Sequence, residues 1–176
     1  MDKTLKIQYF DFFITELSNT TQAIKESSKF NFSFGKLKLM KLLFFISTIN
    51  IDNWYLLENI FDKFYAMPYG PVESDIYDEI NNLPNYIVQN NQTFLKKEAI
   101  LDYSNLDDNV KTIIKQSIQD LKKQNENIFK LDSFKLVELT HKSDAWRIPF
   151  HEAQKKGSLS KRMSNTAIKH TKIFYK

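Results

Sequence analysis

Residues 34–49 read Phe-Gly-Lys-Leu-Lys-Leu-Met-Lys-Leu-Leu-Phe-Phe-Ile-Ser-Thr-Ile, and this stretch decides the fold. Its closely spaced apolar positions are Leu37, Met40, Leu43, Phe44 and Ile46. A helix with this pattern must be covered over most of its circumference. We therefore predict a buried central helix over residues 34–49, capped by Ser33. The longest apolar run, Leu42–Ile46, is far shorter than the roughly 18 residues that a membrane span requires.

The whole chain has 176 residues, of which 42% are hydrophobic, and this is enough for one sizeable core. It contains no cysteine, which excludes disulfides, thiol nucleophiles and cysteine-built zinc sites. Residues 1–4 do not begin a charged-then-apolar leader, so we expect a cytoplasmic protein without a membrane partner. We assign residues 1–150 to one helical domain and residues 151–176 to a basic helix or tail packed on it.

Apolar residues at helical spacing predict further helices on both sides of the central stretch. These helices cover about residues 5–25, 54–61, 72–83, 106–123, 133–139 and 160–173. Asp132 or Ser133 is predicted to cap the helix over 133–139, and a polar break at Gly157 precedes the basic helix over 160–173.

The segments between these helices predict short extended pieces. Phe64–Met67 is aromatic and is followed by Pro68, which disfavours a helix at that point. Gly70 and Pro71 are typical of a helix entry, so we predict that they open the helix over 72–83. Tyr86–Val88 and Thr93–Leu95 flank a polar turn and indicate a hairpin. The expected fold is a mainly α, single-domain bundle of about six to seven helices with one short β-hairpin.

The sequence contains no recognisable catalytic set. Three glycines (35, 70 and 157) are too few for a phosphate-binding loop or a dinucleotide fingerprint. His151-Glu152 does not continue into the two-histidine helical pattern of a zinc site. Paired acids such as Glu73 and Asp75 stand where helix-start acids belong. We therefore expect no catalytic residue, no metal and no cofactor.

Two segments are more aromatic and more turn-specific than an ordinary surface. The first is Met67–Val72, with Tyr77 following, and the second is Leu139–Trp146. The structural interpretation is that the first segment is a helix-entry turn and that the tryptophan of the second segment fills the core. The functional interpretation is that the tyrosine and tryptophan side chains supply contact area at an interface.

These segments, with the upstream run Lys36–Phe45, resemble the Panacea domain, a family of antitoxins and phage-associated proteins. The family's Lys-Leu-x-Lys-Leu-Leu-Tyr-Tyr run is matched best by Lys38–Phe45. Its Tyr-Gly-Pro-Val element stands at Tyr69–Val72, and its Thr-His followed by Trp stands at Thr140, His141 and Trp146. Order and spacing agree over about residues 34–147.

The chain departs from the family pattern at two places. The family often has a tryptophan just before the Tyr-Gly-Pro turn, where this chain has Ala66-Met67, and the segment after His151 matches nothing in the pattern. The resemblance implies an antitoxin that neutralises a cognate toxin by direct protein–protein binding. One branch of the family acts as a protease adaptor, so delivery of the toxin to a host protease is an alternative.

A second alternative is a nucleic-acid-binding regulator. From His151 onward the chain has seven Lys or Arg against one acid, which leaves the rest with a net charge of −2. Basic side chains could neutralise phosphates. The candidate residues for this role are Lys155, Lys156, Lys161, Arg162, Lys169 and Lys172, with Phe174 and Tyr175 available for stacking. A solvated basic helix is the structural interpretation of the same residues.

The residues expected to bind a partner form one surface in this interpretation. Tyr69, Gly70 and Pro71 are predicted to make a rigid turn at a helix start, close to Thr140, His141 and Trp146. Together with Tyr77 they would form a shallow aromatic platform, with Lys38 and Lys41 contributing charge at its rim. The competing interpretation is that these residues hold the helices together. The oligomeric state does not follow from the sequence.

Overall fold

The computed structural model describes residues 1–28, 34–50 and 52–171 of the chain. The helices are α1 (Lys3–Ser28), α2 (Lys36–Thr48), α3 (Ser74–Glu79), α4 (Asp108–Asn125), α5 (Ser133–His141), α6 (Asp144–Lys155) and α7 (Asn165–Lys169). The strands are β1 (Phe64–Met67), β2 (Gly70–Glu73), β3 (Tyr86–Val88), β4 (Thr93–Leu95) and β5 (Lys161–Arg162). Shorter helical turns are Leu56–Ile60, Ile80–Asn82 and Glu126–Phe129. The protein is mainly α-helical, as the sequence predicts.

The core is built around α2, and the prediction of a buried central helix is confirmed. Every residue from Lys38 to Thr48 is buried. The helix contacts α4, α5, β2 and the turn Leu56–Ile60, so neighbours cover it on several sides. Its first residue follows Gly35, which makes no side-chain cap, and the predicted cap Ser33 lies outside the described residues.

The segment around Gly70 is a β-hairpin, so the predicted helix entry at Gly70 and Pro71 is wrong. β1 pairs antiparallel with β2, with Met67 opposite Gly70 and only Pro68 and Tyr69 between the strands. Gly70 has φ +91°, a conformation that tight turns require and that glycine adopts without strain. The helix begins later, at Ser74, because the Glu73 carboxylate accepts a hydrogen bond from the Ile76 amide and caps it.

A third strand completes this sheet and corrects the predicted basic helix over 160–173. β5 pairs with β1 on the side away from β2, so the strand order is β2-β1-β5. The Met163 amide extends the pairing by donating to the Phe64 carbonyl. Lys161 and Arg162 are therefore extended because they complete the edge of β1, and the helix after them covers Asn165–Lys169.

The predicted hairpin of β3 and β4 is confirmed by antiparallel pairing of Tyr86 with Leu95 and Val88 with Thr93. It lies against the start of α2, where the Lys36 amide donates to the Gln89 carbonyl over 2.9 Å. The remaining predicted helices are found as α1, the short turn Leu56–Ile60, α4 and α5, with Asp107 and Asp132 as the caps of α4 and α5. The helix α6 was not predicted. Among the described helices none is long and apolar enough to cross a membrane.

A buried ion cluster ties α1 to the β1–β2 hairpin, and the sequence analysis missed it. The Lys6 ammonium group contacts Glu73 at 2.6 Å, Asp75 at 2.7 Å and Asp62 at 2.8 Å. Burial alone would lower the pKa of Lys6, but the hydrogen bonds that its ammonium group donates to the three carboxylates raise that pKa above its ordinary value. Burial raises the pKa of Glu73, and Lys6 opposes that shift. The cluster therefore keeps the central lysine charged.

We predict that Lys6→Met destabilises the protein by about 3–5 kcal/mol, because it leaves Glu73 buried without its cation. Lys3, one turn earlier in α1, pairs with Glu79 at the surface, and Lys3→Met is the matched control. Urea unfolding should show little change for Lys3→Met. Equal losses for both variants would show that the buried cluster contributes no more than a surface pair.

Candidate functional site

The turn of the β1–β2 hairpin brings the two motif segments together. A Cβ atom at Gly70 would lie 2.3 Å from Thr140 Oγ1 and 3.0 Å from Lys41 Nζ. Gly70 therefore meets two requirements at once, a positive φ and the close approach of α5 and α2. The predicted proximity of the Tyr-Gly-Pro turn to the Thr-His segment is confirmed.

Lys38 and Lys41 are buried, so the prediction that they emerge at the rim is wrong. Lys41 Nζ donates to the Pro71 carbonyl over 2.7 Å, and Lys38 Nζ donates to the carbonyls of Phe129 and Leu131. Burial lowers the pKa of Lys41 to about 7 and that of Lys38 to about 8. Because neighbours cover α2, these side chains end on backbone carbonyls inside the protein.

Trp146 connects α6 to the hairpin. Its indole Nε1 donates to the Met67 carbonyl over 2.9 Å, directly before the turn. The His141 ring stacks on it with centroids 3.8 Å apart and planes 10° apart, and the Phe150 ring also stacks on it with centroids 5.0 Å apart. This three-ring stack, His141–Trp146–Phe150, fixes the start of α6 against β1.

The environment of His141 favours a neutral imidazole. Burial lowers its pKa, the nearby Lys41 charge lowers it further, and a hydrogen bond with the Pro68 backbone opposes both. The Nε2 atom is buried and has no hydrogen-bond partner in the part of the chain that the structure describes. The ring therefore acts here as a flat packing surface.

The predicted shallow platform is largely interior. Thr140 is fully buried, with its hydroxyl donating to the Val137 carbonyl, and Trp146 is buried against the hairpin. Tyr69 is 60% exposed and Tyr77 is 42% exposed, with the Lys36 ammonium group 3.8 Å from the Tyr77 ring centroid. We call the group of Gly70, Thr140, His141 and Trp146 the lock, because it holds the hairpin turn against α5 and α6, with the Thr140 hydroxyl and the Trp146 indole each donating to a backbone carbonyl. The exposed aromatic residues that the motifs present to a partner are therefore the two tyrosines.

The basic residues after His151 are partly neutralised. Lys161 pairs with Glu152, and Lys169 pairs with Glu58. Lys155, Lys156 and Arg162 are exposed, and Lys172 lies outside the described residues. Phe174 and Tyr175, the residues suggested for stacking, also lie outside the described residues. Over residues 1–28, 34–50 and 52–171, no three His, Asp or Glu side chains are grouped to hold a metal ion.

Comparison with protein-family models matches residues 39–147 to the family described as antitoxin SocA-like, Panacea domain. The chain belongs to this family. The match covers more than half of the chain and includes the hairpin turn, the Thr-His segment and Trp146. No curated protein and no solved structure matches the chain. The Panacea domain here thus contains the whole lock, whereas Lys6 and most of α6 lie outside the matched range.

We predict that Lys41 makes stability depend on pH. Its pKa falls from about 10.5 in the unfolded chain to about 7 in the folded one, so between these values the unfolded state binds more protons. The free energy of unfolding should therefore rise from pH 7 towards pH 10 in the wild type, relative to Lys41→Met. Urea unfolding across this range measures the difference. The exposed Lys115→Met is the control and should follow the wild type; parallel curves for Lys41→Met would contradict the prediction.

Proposed function

We propose that this protein is the antitoxin of a toxin–antitoxin pair and that it neutralises its cognate toxin by direct protein–protein binding. The observation that carries the proposal is the match of residues 39–147 to the antitoxin SocA-like family. The Tyr69–Val72 and Thr140–Trp146 segments lie inside this range, and the third segment of the resemblance, Lys38–Phe45, begins one residue before it. An inhibitor of this kind needs a rigid surface and no catalytic group.

The geometry supports toxin binding through the exposed side of the hairpin turn. Gly70, Thr140 and Trp146 hold the hairpin turn from within, and Tyr69 stands on its exposed side. Tyrosine supplies a large contact area at low entropic cost, and a held turn limits the entropy lost on binding. We assign Tyr69 and Tyr77 to contact with the toxin, and we assign Thr140, His141 and Trp146 to positioning the turn.

Nucleic-acid binding has weaker support than toxin binding. Lys161 and Lys169 are neutralised by acids of the same chain, which reduces the charge available for phosphates. Delivery to a protease would use the same toxin contact and would differ in its outcome, because the toxin would then disappear from the cell.

Co-expression with the adjacent reading frame tests the function. The neighbour alone should arrest growth, the pair should grow, and the two proteins should co-purify with the toxin at an unchanged level. A falling toxin level that depends on a host protease would indicate the adaptor mechanism instead. A harmless neighbour, or two proteins that never co-purify, would contradict the antitoxin proposal.

We predict different effects for Tyr69, which is exposed, and His141, whose ring stacks on Trp146. Tyr69→Ala should keep the melting temperature and weaken toxin binding by about 2 kcal/mol, because it truncates an exposed contact. His141→Ala should lower the melting temperature, because it removes one ring of the stack. Tyr55→Ala, exposed outside the motifs, is the control for Tyr69→Ala. If Tyr69→Ala binds the toxin as tightly as Tyr55→Ala does, the turn is not a contact.

A further inference from the structure

A groove lies on the part of the chain that follows the matched Panacea range. It has a volume of about 450 Å³ and is enclosed by α6, β5 and α7. Its floor is apolar and consists of Ala145, Ile148, Pro149 and Ala167. Ile148, in this lining, is 52% exposed. The groove therefore offers an apolar contact that the described fold leaves uncovered.

The charges around the groove are unbalanced. Both acids of its wall are already paired: Asp144 with Arg147 at 2.8 Å and Glu152 with Lys161. Arg162, on the β5 side, has no ion pair within the described ranges. Lys155 and Lys156 extend the cationic edge at the end of α6 and are exposed. Because both acids are paired within the chain, Arg162, Lys155 and Lys156 leave the rim with an excess of positive charge, which is complementary to a negatively charged partner.

We propose that this groove binds an acidic, amphipathic segment of the toxin. An apolar side chain of that segment packs on Ile148, Pro149 and Ala167, and its carboxylates pair with Arg162 and the adjacent lysines. The assignment of the segment to a toxin rests on the antitoxin function proposed above. The groove is a second contact, separate in sequence from the Tyr69 turn.

The same observations favour a peptide over a nucleic acid. The groove combines an apolar floor with the cations of its rim. A phosphate backbone would pair with the cations but would gain nothing from the apolar floor. An acidic segment with apolar residues at helical spacing satisfies both features.

The test is an NMR titration of the full-length protein with a short synthetic amphipathic peptide. The peptide carries leucine on one face and glutamate on the other, and the control peptide replaces each glutamate by lysine. Shifts should be confined to residues 144–152 and 161–171 and should weaken with added salt. No binding of the glutamate peptide, or equal binding of the lysine peptide, overturns the proposal.

Matched variants locate the contact. Ile148→Asp and Arg162→Glu should each weaken peptide binding by about tenfold or more. The controls are Ile100→Asp and Lys97→Glu, the same changes at exposed positions outside the groove. Melting temperatures should be unchanged in all four. Groove variants that bind the peptide as well as the controls do would overturn the proposal.

The neutralisation assay separates this proposal from the antitoxin function. If the groove variants bind no peptide and neutralise the toxin poorly, while the control variants behave as the wild type does, both the groove proposal and the antitoxin function are supported. Groove variants that neutralise normally overturn the groove as a toxin contact and leave the antitoxin function intact. A wild type that binds the peptide yet neutralises nothing overturns the antitoxin function and the assignment of the segment to a toxin.

Other occupants of the groove give distinct signals in the same experiments. A DNA duplex that shifts residues 144–171 when the glutamate peptide does not would overturn the proposal in favour of nucleic acid. A nuclear Overhauser contact between Ile148 and Phe174 in the free protein would place the chain's own last residues there. Concentration-dependent self-association that Ile148→Asp abolishes would place a second copy there.

Discussion

The hydrogen bond from the buried Lys41 ammonium group to the Pro71 carbonyl joins the central helix to the hairpin, and the arrangement of the lock depends on it. Burying an amine is costly unless a strong acceptor receives it. The acceptor comes from β2, so the hairpin is held where Gly70 meets Thr140. The same contact fixes the end of β1, whose Met67 carbonyl receives the Trp146 indole. One buried side chain thus joins α2 to β2 at the point where β2 meets α5.

The elements that the sequence predicted correctly are those whose information is local. Each of these signals lies within a short stretch of sequence. They are the apolar pattern of α2, the apolar periodicity and capping residue of α4, and the two short apolar runs of β3 and β4. The Gly70-Pro71 pair was misread because glycine followed by proline fits a helix entry as well as a hairpin. The choice between them depends on Lys41 and Thr140, which are distant in sequence. β5 has two residues and pairs with a strand about a hundred positions earlier, so no local pattern could reveal it.

The candidate site shows a similar division. Motif order correctly placed the turn near the Thr-His segment, but aromatic composition does not distinguish an interior stack from a surface. Trp146 is interior because β1 offers its indole a carbonyl, and Tyr69 is exterior because the tight turn projects it outward. Residue type alone suggested charge at Lys38 and Lys41, whereas the carbonyls that receive them belong to other elements. The groove beside α6 was invisible for the same reason, since its three walls meet only in the folded chain.

The Lys6 cluster sets the boundaries of this domain as a physical unit. Residues 39–147 contain Asp62, Glu73 and Asp75, but the ammonium group that neutralises them comes from α1. A fragment limited to residues 39–147 would contain the three acids without the Lys6 ammonium group, and one of these acids, Glu73, is fully buried. The portable module of this protein therefore includes α1, and recombination that joins it to other sequences can preserve the fold only if the junction falls before Lys6.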